Sequence, residues 1–203
     1  MHRLRKKQER QQMKPATPRV DYFDDTHQYF VNGVEVPSVS KLVTFATGDT
    51  LKDIPKEVLR TASVYGTAVH NAIEKFEKSG EIQLFFDEII AQYNELKVQA
   101  KLDIADVEQI ITDGKYYAGR YDILAKNGYL FDIKTNSKPM MDKWSWQLSL
   151  YYHALGEYKE KGYILYLPKK GKHKLIEVPT HRRNAVIALV KMYYEKHITN
   201  RNG

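Results

Sequence analysis

The sequence predicts an α/β (α+β) domain, a central mixed β-sheet flanked by helices. Three observations lead there. Asn-Gly or Asp-Gly pairs at 32–33, 113–114 and 127–128 each sit between β-prone runs, the pattern of hairpin turns. Apolar residues recur every three or four positions over 61–78, 83–99, 143–158 and 183–197, as in helices that bury one face. These stretches alternate as hairpin, helices, three-strand meander, helix, two strands and helix, without an internal repeat. That order suits a mixed sheet with helices packed on it. At 203 residues the chain is long enough for one domain with a sizeable core. We place it at 20–203, behind a basic, Gln-rich arm at 1–19 expected to be flexible.

Each element has a local reason. Residues 27–36, HQYFVNGVEV, are a hairpin closed by Asn32-Gly33, and Pro37 ends its second strand. Ser38 or Ser40 can cap a short helix over about 39–46, and 49–60 is expected to be a loop with a helical turn. The helix at 61–78 buries Ala62, Tyr65, Ala72, Ile73 and Phe76; Gly66, unfavourable inside a helix by about 1 kcal/mol, points to a close approach by another group. A second helix covers 83–99. Strands follow at about 104–112, 115–125 and 129–134, then a polar loop at 135–142 and a helix at 143–158. The apolar run YILYLP turns through Lys169-Lys170-Gly171-Lys172 into KLIEVP, and a helix at 183–197 closes the chain.

The chain has no cysteine, which excludes disulfides, thiolate zinc sites and iron–sulfur clusters and fits an intracellular, cytoplasmic protein. No apolar run is long enough for a membrane span, and the N-terminal charges precede no apolar segment, so neither a membrane nor a secretory signal is expected. The net charge of +7 is unevenly spread: +6 over 1–20, −7 over 21–158 and +8 over 159–203. An acidic centre between basic ends suits a cation in the middle and a polyanion across the flanks, although solvated basic surfaces would give the same count.

The acidic centre holds the sharpest pattern, GRYDILAKNGYLFDIK over 119–134. Alternation along a strand puts Asp132 and Lys134 on one face. Whether Asp122 joins them depends on the turn. A two-residue loop at 127–128 would set Asp122 opposite Ile133; a three-residue loop, 126–128, pairs Ala125 with Tyr129 and sets Asp122 opposite Asp132. We expect the three-residue loop, a type I turn with Gly128 left-handed. Two carboxylates that close repel unless a cation or proton neutralises them, and carboxylate, carbonyl and water ligands favour Mg²⁺ or Mn²⁺. On this stretch alone, surface pairs such as Asp132–Lys134 and Asp122–Arg120 would explain the same residues.

Taken together, YGTAVH (65–70), GRYD (119–122), DIKT (132–135) and QLSLY (147–151) resemble the PD-(D/E)XK nuclease superfamily, in its RecB-type and phage exonuclease branch. The resemblance covers about 65–155 and implies a restriction-endonuclease-like core. It implies that Asp122, Asp132 and the Ile133 carbonyl hold the metal, with His70 and Glu108 as further ligands and Glu74 as a competitor for the acidic role. Lys134 would orient or activate water and stabilise charge on phosphate; Gln147 and Tyr151, one turn apart, would sit beside the site, Gln147 holding the lysine or a phosphate. The implied activity is metal-dependent hydrolysis of DNA phosphodiesters by an exonuclease of phage recombination, repair or processing. A single-strand or structure-specific endonuclease, or a non-cleaving nucleic-acid-binding or inhibitor protein, would share the fold. Single-stranded DNA or duplex ends would be the substrate, with a recombinase, single-strand-binding protein or helicase as partner, since the chain carries no helicase motif. Tyr116, Tyr117, Trp144, Trp146 and Tyr152 are candidates for stacking on bases, and Lys138, Lys143, Lys169, Lys170, Lys172 and Lys174 for phosphate contacts.

Overall fold

The computed structural model describes residues 18–199. Its elements in order are β1 (Val20–Phe23), a 3₁₀ turn (Asp24–Thr26), β2 (Gln28–Val31), β3 (Val34–Val36), α1 (Val39–Thr47), α2 (Lys56–Ser79), α3 (Asp87–Gln99), β4 (Ile104–Thr112), β5 (Ala118–Ala125), β6 (Leu130–Lys134), α4 (Met141–Ala154), β7 (Lys161–Tyr166), β8 (Lys174–Pro179) and α5 (Arg183–Thr199). The expected arm at 1–19 lies outside the described residues except for its last two. Arg19 is tied to the first hairpin, its carbonyl accepting the Asn32 N–H at 2.9 Å. No helix among the described residues is long and apolar enough to cross a membrane.

The mixed sheet is five-stranded, in the order β4-β5-β6-β7-β8. Only β6 and β7 run parallel; the connection between them is α4, as a parallel pair requires a crossover. The sheet is covered on both faces. Leu130, Ile164, Tyr166 and Val178 pack with α1, α4 and α5 on one side. Ile123, Phe131, Ile133 and Leu165 pack with α2 and α3 on the other. A small antiparallel sheet, β1-β2-β3, lies beside this sandwich.

α3 starts at Asp87 rather than 83 and α4 spans Met141–Ala154 rather than 143–158, and two further boundaries differ from expectation for physical reasons. α2 begins at Lys56, five residues before the expected start, because Pro55 opens a helix whose first turns are exposed. Exposed turns carry no buried stripe, so periodicity could not reveal them. β5 begins at Ala118 rather than 115, because the Asp113 carboxylate accepts the N–H groups of Lys115, Tyr116 and Tyr117 and holds them in a turn. β1 had no sequence signal beyond four residues. Ser38 is the cap of α1, accepting the Lys41 N–H at 3.2 Å.

Close packing sets the site's frame. A Cβ on Gly119 would meet Val39 Cγ2 at 2.8 Å and Tyr151 Cε1 at 3.0 Å, so glycine lets α1 and α4 press against β5 just before Asp122.

Candidate active site

The site is built where β5 and β6 stop pairing. Their register, Ile123↔Phe131 and Leu124↔Leu130, extended by one residue sets Asp122 opposite Asp132. The turn is the three-residue one: the Ala125 N–H reaches the Tyr129 carbonyl at 2.9 Å, and Gly128 has φ +80°. One step further, that register would give the Ile133 N–H to Tyr121. The Asp122 carboxylate takes it instead, Oδ2 accepting at 2.6 Å. The strands part, and both aspartates are buried in the gap, Asp122 at 7% and Asp132 at 2% exposure.

Two residues from other elements close on Asp122. His70, in the middle of α2, places Nδ1 3.4 Å from Asp122 Oδ1 and 3.5 Å from Glu108 Oε1, while its Nε2 lies 3.1 Å from the Ile133 carbonyl oxygen. Glu108 reaches in from β4, and its backbone is left-handed, φ +51°, in mid-strand. That is a strained position for a non-glycine residue, and the β4–β5 register, Val107↔Ile123 and Gln109↔Tyr121, sets Glu108 across from Asp122. Arg120 holds the other carboxylate oxygen of Glu108 at 2.9 Å, and Tyr22 of the small sheet lies under the guanidinium at 5.8 Å. Sequence reasoning gave Arg120 no role beyond surface charge. Its one signal was position, between Gly119 and Asp122.

Asp132 faces a different set. Its Oδ2 is 2.5 Å from Lys134 Nζ, and its Oδ1 accepts from Gln147 Nε2 at 3.0 Å. Gln147 therefore holds Asp132, not the lysine. Its amide also lies 3.3 Å from the Tyr151 hydroxyl, which donates to the Arg120 carbonyl at 2.7 Å. The pair one turn apart on α4 thus braces both strands.

The remaining candidates divide. Glu74 pairs with Lys78 along α2 and takes no part. Trp144, 2% exposed, packs on Tyr166 with ring centroids 5.9 Å apart, and Tyr117 and Tyr152 are likewise core. None of the three presents a face on which a base could stack. Trp146 is half-buried and stacks on His181 at 3.7 Å; Tyr116 is exposed beside Tyr194. Lys138, Lys170, Lys172 and Lys174 are exposed, and Lys143 is half-buried in the first turn of α4. Lys169 lines a cleft that ends at His70 and Lys134.

Electrostatics separate the acids. Burial would raise the Asp122 pKa, but the His70 charge and hydrogen bond, the Lys134 charge and the Ile133 N–H together hold the carboxyl below its ordinary value. Burial pushes Asp132 up to about 6, with Lys134 only partly offsetting it. Glu108 is raised by burial against the pull of His70. Burial opposes the charges of His70 and Lys134, yet Asp122 and Glu108 push His70 up to about 10, and Asp132 and Asp122 raise Lys134. The metal-ligating atoms of His70, Glu108 and Asp122 lie within 4.8 Å of one another, and Asp132 Oδ2 beside them is met by Lys134 Nζ. This donor set, carboxylates plus imidazole plus a carbonyl, fits a divalent cation. The imidazolium and a cation are alternative ways to neutralise the same two carboxylates.

No protein-family model and no curated protein matches the chain. Among solved structures it is similar to an alkaline exonuclease from Laribacter hongkongensis, at 9% identity and a TM-score of 0.49 over 81% of this chain and 87% of that one. It is also similar to a phage-related exonuclease from Haemophilus somnus, at 14% identity and a TM-score of 0.44 over 82% and 96%.

Proposed function

We propose that the chain is a metal-dependent nuclease of the PD-(D/E)XK type that hydrolyses DNA phosphodiesters, acting as an exonuclease in phage DNA recombination, repair or processing. The observation that carries this is the meeting of His70, Glu108 and Asp122 beside the Asp132–Lys134 pair, at the point where β5 and β6 separate. Glu108, Asp122, the Ile133 carbonyl and neutral His70 would hold Mg²⁺ or Mn²⁺, with Asp132 on the adjoining side. Such an ion would polarise the phosphoryl oxygens and acidify a bound water.

The chain's own groups do the rest. Lys134 is kept protonated by Asp132, so it acts as a fixed positive charge that donates to a phosphate oxygen and offsets charge as water attacks phosphorus and the P–O bond breaks. Gln147 holds Asp132 in place, leaving its Oδ2 for Lys134. The charge count supports an anionic substrate. Three carboxylates against Lys134, Arg120 and a protonated His70 balance to zero. Exchanging the His70 proton for a dication leaves one positive charge, matching one phosphodiester.

The test is digestion of end-labelled linear DNA with Mn²⁺. Wild type should cleave; EDTA or Lys134→Ala should abolish it. Cleavage surviving EDTA overturns the metal mechanism, and no cleavage of any DNA with either ion overturns the nuclease reading. A closed circular substrate separates the exonuclease, which leaves it intact, from an endonuclease.

A further inference from the structure

Beside the catalytic cluster lies a cleft of about 670 Å³ between the first half of α2 and the loop after β6. Its inner end is shared with the site: His70, Ile133 and Lys134 line both. Its α2 wall presents Val58, Ala62 and the half-buried ring of Tyr65, with Glu57, Thr61 and Ser63 among them. Opposite stand hydroxyl and amide groups of Thr135, Asn136 and Ser137. Lys169 sits at its rim with Nζ 5.2 Å from the centre of the Tyr65 ring. Gly66 lies at the narrow point, where a Cβ would be 3.2 Å from Thr135 Oγ1.

We infer that this cleft is a nucleobase site, in which the base next to the scissile phosphate stacks on Tyr65 while Lys169 moves from the ring to the adjoining phosphate. The inference rests on the nuclease reading for its placement beside the scissile bond. Three features carry it. A cleft of this volume falls in the size range of small-ligand sites, roughly 300–1,000 Å³, and suits one nucleotide rather than a duplex. An aromatic wall with polar groups facing it is what an unpaired base needs, a π-face on one side and partners for its edge on the other. A lysine over the ring supplies a cation already at the position where backbone charge would arrive. A base inside a duplex has no free face, so the productive end is single-stranded or frayed, and Tyr65 is a specificity-determining residue.

The experiment uses single-stranded oligonucleotides carrying 2-aminopurine at each position near either end, mixed with the full chain in EDTA. Wild type should quench the fluorescence at one or two terminal positions. Tyr65→Ala should remove the quench and Tyr65→Phe should keep it, with circular dichroism confirming that both fold. Lys169→Ala, at an exposed position, should weaken binding without removing the quench. With Mn²⁺, Tyr65→Ala should raise KM for single-stranded DNA roughly 5- to 100-fold and leave kcat within about threefold. Equal quenching by wild type and Tyr65→Ala, or an unchanged KM, overturns the nucleobase site even if wild type cleaves well. Should Tyr65→Ala fail to fold, Gly66→Ala, which narrows the cleft, must weaken the quench or the inference fails. A Tyr65-dependent quench in a protein that never cleaves would instead overturn the nuclease reading and leave the base site standing.

Discussion

The two ends of the β5–β6 pair differ in every physical respect. At the turn end the ladder is regular: Ile123↔Phe131 and Leu124↔Leu130 pair, Ile123 and Leu130 are fully buried, and the Leu130 N–H is satisfied by the Tyr152 hydroxyl at 2.8 Å. At the open end the ladder stops, a side-chain carboxylate replaces a backbone acceptor, and three acids, two of them buried aspartates, share a small volume with His70 and Lys134. One end is stable and chemically inert. The other is held together only by exchanging charges, at the expense of stability. The turn end sets spacing and facing; the open end uses them.

Substitutions at the two ends should therefore separate activity from stability. Asp122→Ala should lower cleavage by about 10³-fold or more while the protein still folds, since the lost group acts on developing charge. Leu130→Ala should do the reverse, costing about 2–5 kcal/mol in denaturant unfolding while each folded molecule keeps near-normal activity. Equal loss of activity at unchanged stability from both variants would dissolve the distinction.

A cation should act on the open end alone. The Asp132 carboxyl titrates near 6 in the folded chain against an ordinary value of 3.8, so between about pH 4 and 6 the native state binds the proton more tightly than the unfolded state. Its charge therefore lowers stability as pH rises through that window, and the penalty is fully present above it. His70, up to about 10, must also give up a proton to serve as a ligand. Both effects make cation binding stronger at high pH. Saturating Mn²⁺ should raise Tm by about 5–10 °C at pH 8 and by less at pH 5.5, and the shift should vanish in Asp122→Asn. A shift that survives the substitution would remove Asp122 from the ligand set, and one larger at pH 5.5 would remove His70.

How much of this was legible follows the same divide. The turn end was readable because side-chain facing in a strand has period two, so the length of one loop decides which residues meet. Gly128 marked that loop, and Asp122 met Asp132 as expected. A mixed sheet flanked by helices was readable from turn signals and apolar periodicity, which reports burial; the separation of the first hairpin into its own small sheet was not. The same signal missed the first turn and a half of α2, where nothing is buried, although Pro55 stood at its start. Trp144 was misplaced for the converse reason: nearness in sequence to the site says nothing of which way α4 turns a ring. At the open end, Glu108 could be named but not placed, because its position opposite Asp122 depends on the β4–β5 register, which an irregularity near Ile104 shifts and no local pattern announces. Arg120 and the cleft wall at Tyr65 belong to the same class, groups whose role comes only from what another element brings to them.

Gln147 gives the smallest and most discriminating effect. Its amide donates to Asp132 Oδ1 and, at longer range, to the Tyr151 hydroxyl, so Gln147→Ala removes these two hydrogen bonds from the open end and leaves the turn end alone. A hydrogen bond to the ionised carboxylate favours that form, and its loss raises the Asp132 pKa further. The acid limb of the pH–rate profile should then move to higher pH, with cleavage at pH 8 reduced about tenfold, in the range of groups that orient a ligand. Gln147→Glu should fare worse than alanine at pH 8, because a fourth carboxylate beside Asp132 repels it. If both variants lower kcat equally at every pH, Gln147 supports the fold through Tyr151 instead, and the bracing of the two strands by α4 is mechanical rather than electrostatic.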